Sequence, residues 1–266
     1  MLETQADLTE LAQLLGEDFT DLRPLGEEGG MSRLFRAHKR SLDVDVVIKR
    51  MRMDPESPTD VQREARVMTS LRHQYLPRIF DLKMGEDGYC YTIMELIPGC
   101  TLRQYVRQYG ALSQKQTVYW LKQLCQAAAY MHSQRPPIIH SDIKPDNIMI
   151  TPEGSICLID FNASLEMRDD GADALGATAC YAAPEQYNVP LSRFGDPARL
   201  IPEQRQVYDM ACRAQGLGKV TERTDLYAIG ATAYFMLTGY DPAGWEGDMI
   251  PLERFDITLG DPLRQV

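Results

Sequence analysis

Eight residues, His-Ser-Asp-Ile-Lys-Pro-Asp-Asn at 140–147, constrain this chain more than any other stretch. An aspartate, a lysine two positions on and an asparagine five positions on are crowded into one loop between short apolar runs. Asp142 can orient an attacking hydroxyl and accept its proton. Lys144 can neutralise a transferring phosphoryl group, and Asn147 can offer a neutral oxygen to a metal ion. Each of these is an ordinary loop residue by itself. Thirteen residues beyond Asn147, however, Asp160 ends the apolar run Cys157-Leu158-Ile159, where a carboxylate suits magnesium bridging nucleotide phosphates. The two features together are far more specific than either alone.

Matching pieces lie upstream in order. Val46-Val47-Ile48-Lys49 puts a lysine on a strand, where it can hold α- and β-phosphates, and Glu64 on the next helix is spaced to pair with it. Taken singly, a strand lysine and a helix glutamate are more often solvated surface groups. Their order relative to Asp142 and Asp160 reverses that reading.

The elements around these residues fall into a β-rich first third and a helical remainder. Leu8, Leu11, Leu14 and Leu15 predict a short amphipathic helix over 1–18, ahead of the main fold. Strands are predicted at 19–26, 34–38, 44–49, 78–84 and 89–96. A helix starts between the third and fourth of them, with Ser57 as cap and Pro58 at its first position, and buries Val61, Ala65, Met68 and Leu71. After Pro98-Gly99, the expected hinge, Thr101 caps one helix and Ser113 with Gln116 boxes the start of a longer one. Short strands follow at 138–140, 148–150 and 157–160. The run 223–239 is apolar nearly all round, so it belongs at the centre of its domain. The fold class is α+β.

Lys and Arg number 28 against 38 Asp and Glu, a net charge of −10 with pI near 4.9. That balance argues against nucleic acid or an anionic membrane surface as the main partner. The acidic opening MLETQADLTE is not a secretory leader, and the longest apolar stretch, Leu226 to Leu237, is too short to span a bilayer. Six cysteines fall singly, without C-x-x-C, as suits a reducing cytoplasm.

From about Phe19 to the end, the chain resembles the eukaryotic-type protein kinase family. Val-Val-Ile-Lys49 is similar to its strand lysine motif, Glu64 to its helix glutamate, and His140-Ser141-Asp142 to its catalytic loop. Asp160-Phe161-Asn162 is similar to its metal-binding triplet and Ala183-Pro184-Glu185 to the end of its activation segment, while Asp225 stands for its buried helix aspartate. Gly29-Gly30-Met31-Ser32 and 140–147 are most like bacterial serine/threonine kinases. The resemblance implies two lobes, about 19–97 and 98–266, with ATP between them. It also implies Mg²⁺ held by Asn147 and Asp160, and γ-phosphoryl transfer to a protein hydroxyl. Lys144 and Thr178 imply a serine or threonine acceptor. Met94 would be the gatekeeper of the adenine pocket, with backbone groups of Glu95 and Ile97 pairing with the base, Leu34 and Val47 above it and Met149 below. Gly29 and Gly30 would cover the phosphates. Met68, Ile79, His140 and Phe161 would form a hydrophobic column.

The pattern is broken in four places. The glycine loop has one extra residue before Gly29 and Ser32 at its third glycine. Ser141 replaces the arginine that receives an activation-loop phosphate, which predicts activity independent of that phosphorylation. Asn162 replaces a glycine. About 189–217 reads as an insertion, in which Val207, Met210, Ala211 and Ala214 share one helical face for packing onto the large lobe or for docking. The family also continues past Val266, so the domain reads as truncated or unusually short. The expected function is an active serine/threonine protein kinase. The alternative is a pseudokinase, a nucleotide-binding or scaffold module, supported by the altered glycine loop and Asn162.

Overall fold

Strict alternation along Val44–Arg52 organises the first layer: Val46 and Ile48 are fully buried on one side of the strand, with Val47 and Lys49 on the other. The computed structural model describes residues 2–25, 33–52, 69–85, 88–160, 180–243 and 250–255. The chain divides into two units, Met1–Ile97 and Pro98–Val266.

In the first unit, strands β1 (Phe19–Pro24), β2 (Arg33–Lys39), β3 (Val44–Arg52), β4 (Ile79–Met84) and β5 (Tyr89–Glu95) form one sheet in the order β1-β2-β3-β5-β4. Every neighbouring pair is antiparallel. One face of the sheet is apolar and closed by helix α1 (Leu2–Leu15). Leu11 and Leu15 pack there with Phe35, Ala37, Val46, Ile48, Tyr91 and Ile93. The helix is thus part of the unit's core rather than an appendage. Lys83 Nζ also donates to the Leu14 carbonyl, tying the end of α1 to β4. The predicted helix from Ser57 lies outside the described residues up to Met68; Leu71, just after it, is buried.

The second unit carries a small sheet, β6 (Cys100–Thr101), β7 (Ile148–Ile150) and β8 (Ile156–Leu158), and the helices α2 (Leu102–Tyr109), α3 (Gln114–His132), α4 (Pro202–Ala214) and α5 (Glu222–Thr238). Thr101 and Gln104 form a reciprocal capping box at α2. At α3, Ser113 accepts from the Gln116 N–H. Buried Gln123 of α3 accepts the Ile156 N–H and so fastens β8 to the helix. Gly99, at φ 120°, permits a close approach that no side chain could share: an added Cβ would lie 2.0 Å from the Ile150 carbonyl oxygen.

Two features of this unit correct or resolve the sequence reading. Residues 138–140 are not a strand. The N–H groups that a ladder would use bond elsewhere, Ile138 to the Met131 carbonyl and His140 to the Asp225 carboxylate. In the 189–217 segment Pro202 opens α4. Its Val207, Met210, Ala211 and Ala214 face is buried against Ala182, Tyr187, Val189 and Phe194. Asp196-Pro197 opens only a single 3-10 turn, capped by the Asp196 side chain.

Candidate active site

Three hydrogen bonds to one buried carboxylate shape the loop at 140–147. Asp225, fully buried in the first turn of α5, accepts the His140 N–H and the His132 Nε2 on Oδ2, at 2.9 and 2.7 Å, and the Ser141 N–H on Oδ1, at 2.9 Å. These contacts hold the loop in a conformation it would not choose by itself, for Ser141 sits at φ 63°, in the left-handed region. The His140 ring is locked too: Nε2 lies 3.1 Å from the Ile159 carbonyl, and Nδ1 accepts the Asp142 N–H. A neutral tautomer with the proton on Nε2 satisfies both contacts.

The loop turns again at the 3-10 turn Pro145–Asn147, which brings Asn147 back onto Asp142. Asn147 Nδ2 donates to the Asp142 carbonyl and to Asp142 Oδ2, both at 2.8 Å. Lys144 Nζ lies 2.8 Å from the same Oδ2. Asp142 Oδ1 is buried and has no hydrogen-bond partner among the described residues. A buried carboxylate oxygen left open costs free energy unless a ligand satisfies it. The spent Nδ2 of Asn147 leaves its Oδ1 for a cation. Asn147 is joined to the end of β8 through the Ile159 N–H, which donates to its carbonyl, and Asp160 follows directly at φ 67°. Asp142, Lys144, Asn147 and Asp160 thus belong to one connected local structure. Met149 is half-buried on β7.

Among the described residues no three His, Cys, Asp or Glu side chains cluster as a metal cage. Asn147 Oδ1 and the Asp160 carboxylate are hard oxygen donors. A short protein donor set completed by phosphates and water is the way magnesium is held. The residues therefore fit Mg²⁺.

The first unit gathers the other predicted residues on the sheet face away from α1. Leu34 is directly opposite Lys49, Lys49 opposite Thr92, Val47 opposite Met94, and Met94 opposite Ile79. Directly opposed residues share a face, so Leu34, Val47, Lys49, Met94 and Ile79 stand together. Lys49 is buried. The Glu95 N–H donates to the Arg78 carbonyl, which leaves only the Glu95 carbonyl to serve a base; Ile97 is half-buried at the end of the unit. Gly29, Gly30, Glu64, Met68, Phe161, Asn162 and Thr178 lie outside the described residues.

Sequence reasoning passed over several residues that shape this site. Gln186 bridges Ala183-Pro184-Glu185 to the loop: its Oε1 accepts the Ala183 N–H and its Nε2 donates to the Ser141 carbonyl at 2.7 Å. Glu185 itself accepts the Thr224 hydroxyl, at 2.6 Å. Asp146, inside the motif, pairs with Arg103. His132, the last residue of α3, meets Asp225 through the fold alone and left no sequence signal.

The chain matches the protein kinase domain model over residues 19–192. It is 33% identical to the serine/threonine-protein kinase PrkC of Bacillus subtilis, over 83% of this chain and 30% of that protein. It is 28% identical to the serine/threonine-protein kinase PknB of Mycobacterium tuberculosis, over 88% of this chain and 34% of that protein. It therefore spans about a third of the length of these curated relatives. The fold is similar to that of Rad53 residues 1–466 solved with AMP-PNP, with a TM-score of 0.63 at 21% identity, covering 94% of this chain and 59% of that one. With an α+β fold, the loop at 140–147 and a family match over most of its length, the chain belongs to the protein kinase family.

Proposed function

We propose that this protein is a serine/threonine protein kinase that transfers the γ-phosphoryl group of ATP to a hydroxyl of a protein substrate. The observation that carries the reading is the asymmetric Asp142 carboxylate, with Oδ2 held by Asn147 and Lys144 and Oδ1 buried without a hydrogen-bond partner among the described residues. An acceptor hydroxyl at Oδ1 would be oriented for attack and would pass its proton there as its oxygen bonds to the γ-phosphorus and the bond from that phosphorus to the β,γ-bridging oxygen breaks, releasing ADP. Lys144, already at Asp142, would offset charge on the transferring group. Asn147 Oδ1 and Asp160 would hold Mg²⁺, which neutralises the β- and γ-phosphate oxygens when bound.

Leu34, Val47 and Met94 would contact the adenine, with the Glu95 carbonyl and Ile97 backbone pairing with its edge. Lys49 would hold the α- and β-phosphates, positioned by Glu64, with Gly29 and Gly30 covering them. The six free cysteines suit a reducing cytoplasm, and no described helix is long and apolar enough to cross a membrane. The pseudokinase reading gains nothing from the site, since Lys49, Asp142, Lys144, Asn147 and Asp160 are all present. The test is transfer of radiolabelled phosphate from ATP to a generic basic protein, with Asp142→Asn beside it. Label on serine or threonine that disappears in the variant is the expected result; equal label in both would refute Asp142 as base.

A further inference from the structure

Arg103, the second residue of α2, is 15% exposed at its side chain and holds two carboxylates at once. Its Nε lies 2.7 and 2.9 Å from the Asp146 oxygens, and Nη1 lies 2.9 and 3.1 Å from those of Asp241. Asp241 in turn accepts the Tyr181 hydroxyl, at 2.5 Å. The guanidinium also lies 5.0 Å from the centroid of the Phe235 ring on α5.

An exposed ion pair of this kind would be worth little. Here the geometry is different in kind. A planar fork reaches both carboxylates from one stem, whereas a lysine ammonium would keep only part of the network. Burial works against the charge on Arg103, but hydrogen bonds to Asp146 and Asp241 outweigh burial and raise its pKa. Burial and the bond to Asp241 likewise push the Tyr181 hydroxyl well up, so it stays a donor.

The network joins two segments that lie far apart in the chain. Asp146 is the middle residue of the turn Pro145–Asn147, whose N-cap, Lys144, makes no side-chain capping bond. Tyr181 lies two residues before Ala183, where the backbone meets Gln186 and through it the Ser141 carbonyl. Arg103 touches none of Asp142, Asn147 or Asp160. Its grip on Asp146 is one residue from Asn147, the group that orients Asp142.

We propose that Arg103 is a positioning residue that locks the turn carrying Asn147 to the segment leading into Ala183-Pro184-Glu185, so that acceptor transfer depends on it while nucleotide binding does not. This rests on the kinase reading for its catalytic consequence and on the ion-pair geometry for its mechanical one.

The test uses the whole chain with Arg103→Gln, Arg103→Lys and Tyr181→Phe. Amide hydrogen exchange should quicken at 143–147 and at 181–186 in Arg103→Gln, and at 181–186 in Tyr181→Phe, with the β1–β5 sheet unchanged. With Mg-ATP and a basic protein acceptor, kcat/KM for the acceptor should fall tenfold or more in Arg103→Gln and less in Arg103→Lys, with KM for ATP within twofold. Exchange that stays at wild-type rates in both segments, in Arg103→Gln and in Tyr181→Phe alike, would overturn the proposal whatever the activity. Equal losses for ATP and acceptor would overturn the positioning role in favour of general destabilisation. A wild-type protein that transfers no phosphate would instead overturn the kinase reading, and the exchange experiment would still decide the link. Should Arg103→Gln not fold, Tyr181→Phe, which removes a single hydroxyl, carries the test.

Discussion

Asn147 donates its side-chain amide to both the carbonyl and the Oδ2 of Asp142, each at 2.8 Å, so two residues five apart in the chain share one rigid turn. Turnover and nucleotide binding should therefore separate by mutation. Mg-ATP at a hundredfold excess over its dissociation constant should stabilise the wild type by about 2.7 kcal/mol. Asp142→Asn should keep that gain in a thermal melt yet lose most turnover, whereas Asp160→Asn should lose both. A melt that shows no nucleotide-dependent shift in the wild type would count against the whole nucleotide site.

Asp225 has no exposed surface and serves the backbone N–H groups of His140 and Ser141. Asp225→Ala would strand both donors and leave a hole. Each unsatisfied buried group costs about 1–3 kcal/mol, so the expected loss is about 2–6 kcal/mol. Urea unfolding followed by tryptophan fluorescence measures it; a loss under 1 kcal/mol would mean the loop finds other acceptors.

Gly99→Ala should destabilise the second unit by more than about 2 kcal/mol, because a Cβ would overlap the Ile150 carbonyl at a positive φ that L residues rarely adopt. Gly154→Ala is the control: φ is 80° there, but nothing lies within 4 Å of the new Cβ. If the two variants melt together, the close approach is not what requires glycine.

Leu11 is fully buried between α1 and the sheet. Leu11→Ala should cost about 2–5 kcal/mol. An unchanged unfolding midpoint would show that the helix contributes nothing to the stability of the first unit.

Asp18 binds Lys39 and Ser41 at the start of β1, and these hydrogen bonds hold its pKa down at about 2 against an ordinary 3.8. A depressed carboxylate stabilises the fold above its unfolded pKa and loses that contribution as pH falls toward the folded value. The melting difference between wild type and Asp18→Asn should thus be full near pH 6 and shrink from about pH 4 down to 2. A difference that stays constant across that range would show that the ionised form of Asp18 is not what matters.

Much of this protein is legible in its sequence because the relevant physics is local. Alternation in Val44-Asp45-Val46-Val47-Ile48-Lys49 fixes which side chains share a sheet face, and the spacing of Asp142, Lys144 and Asn147 brings them into one turn wherever the loop sits. Thr101 and Ser113 mark helix starts because capping needs only the next few residues. The tertiary structure alone decided what depends on partners distant in the chain. Residues 138–140 have the composition of a strand, but Asp225, 85 positions beyond His140, takes the N–H that a ladder would need. Arg103 and Asp241 are 138 positions apart and carry no pattern that pairs them. A carboxylate's choice among donors is made by three-dimensional proximity and burial, neither of which a one-dimensional spacing encodes.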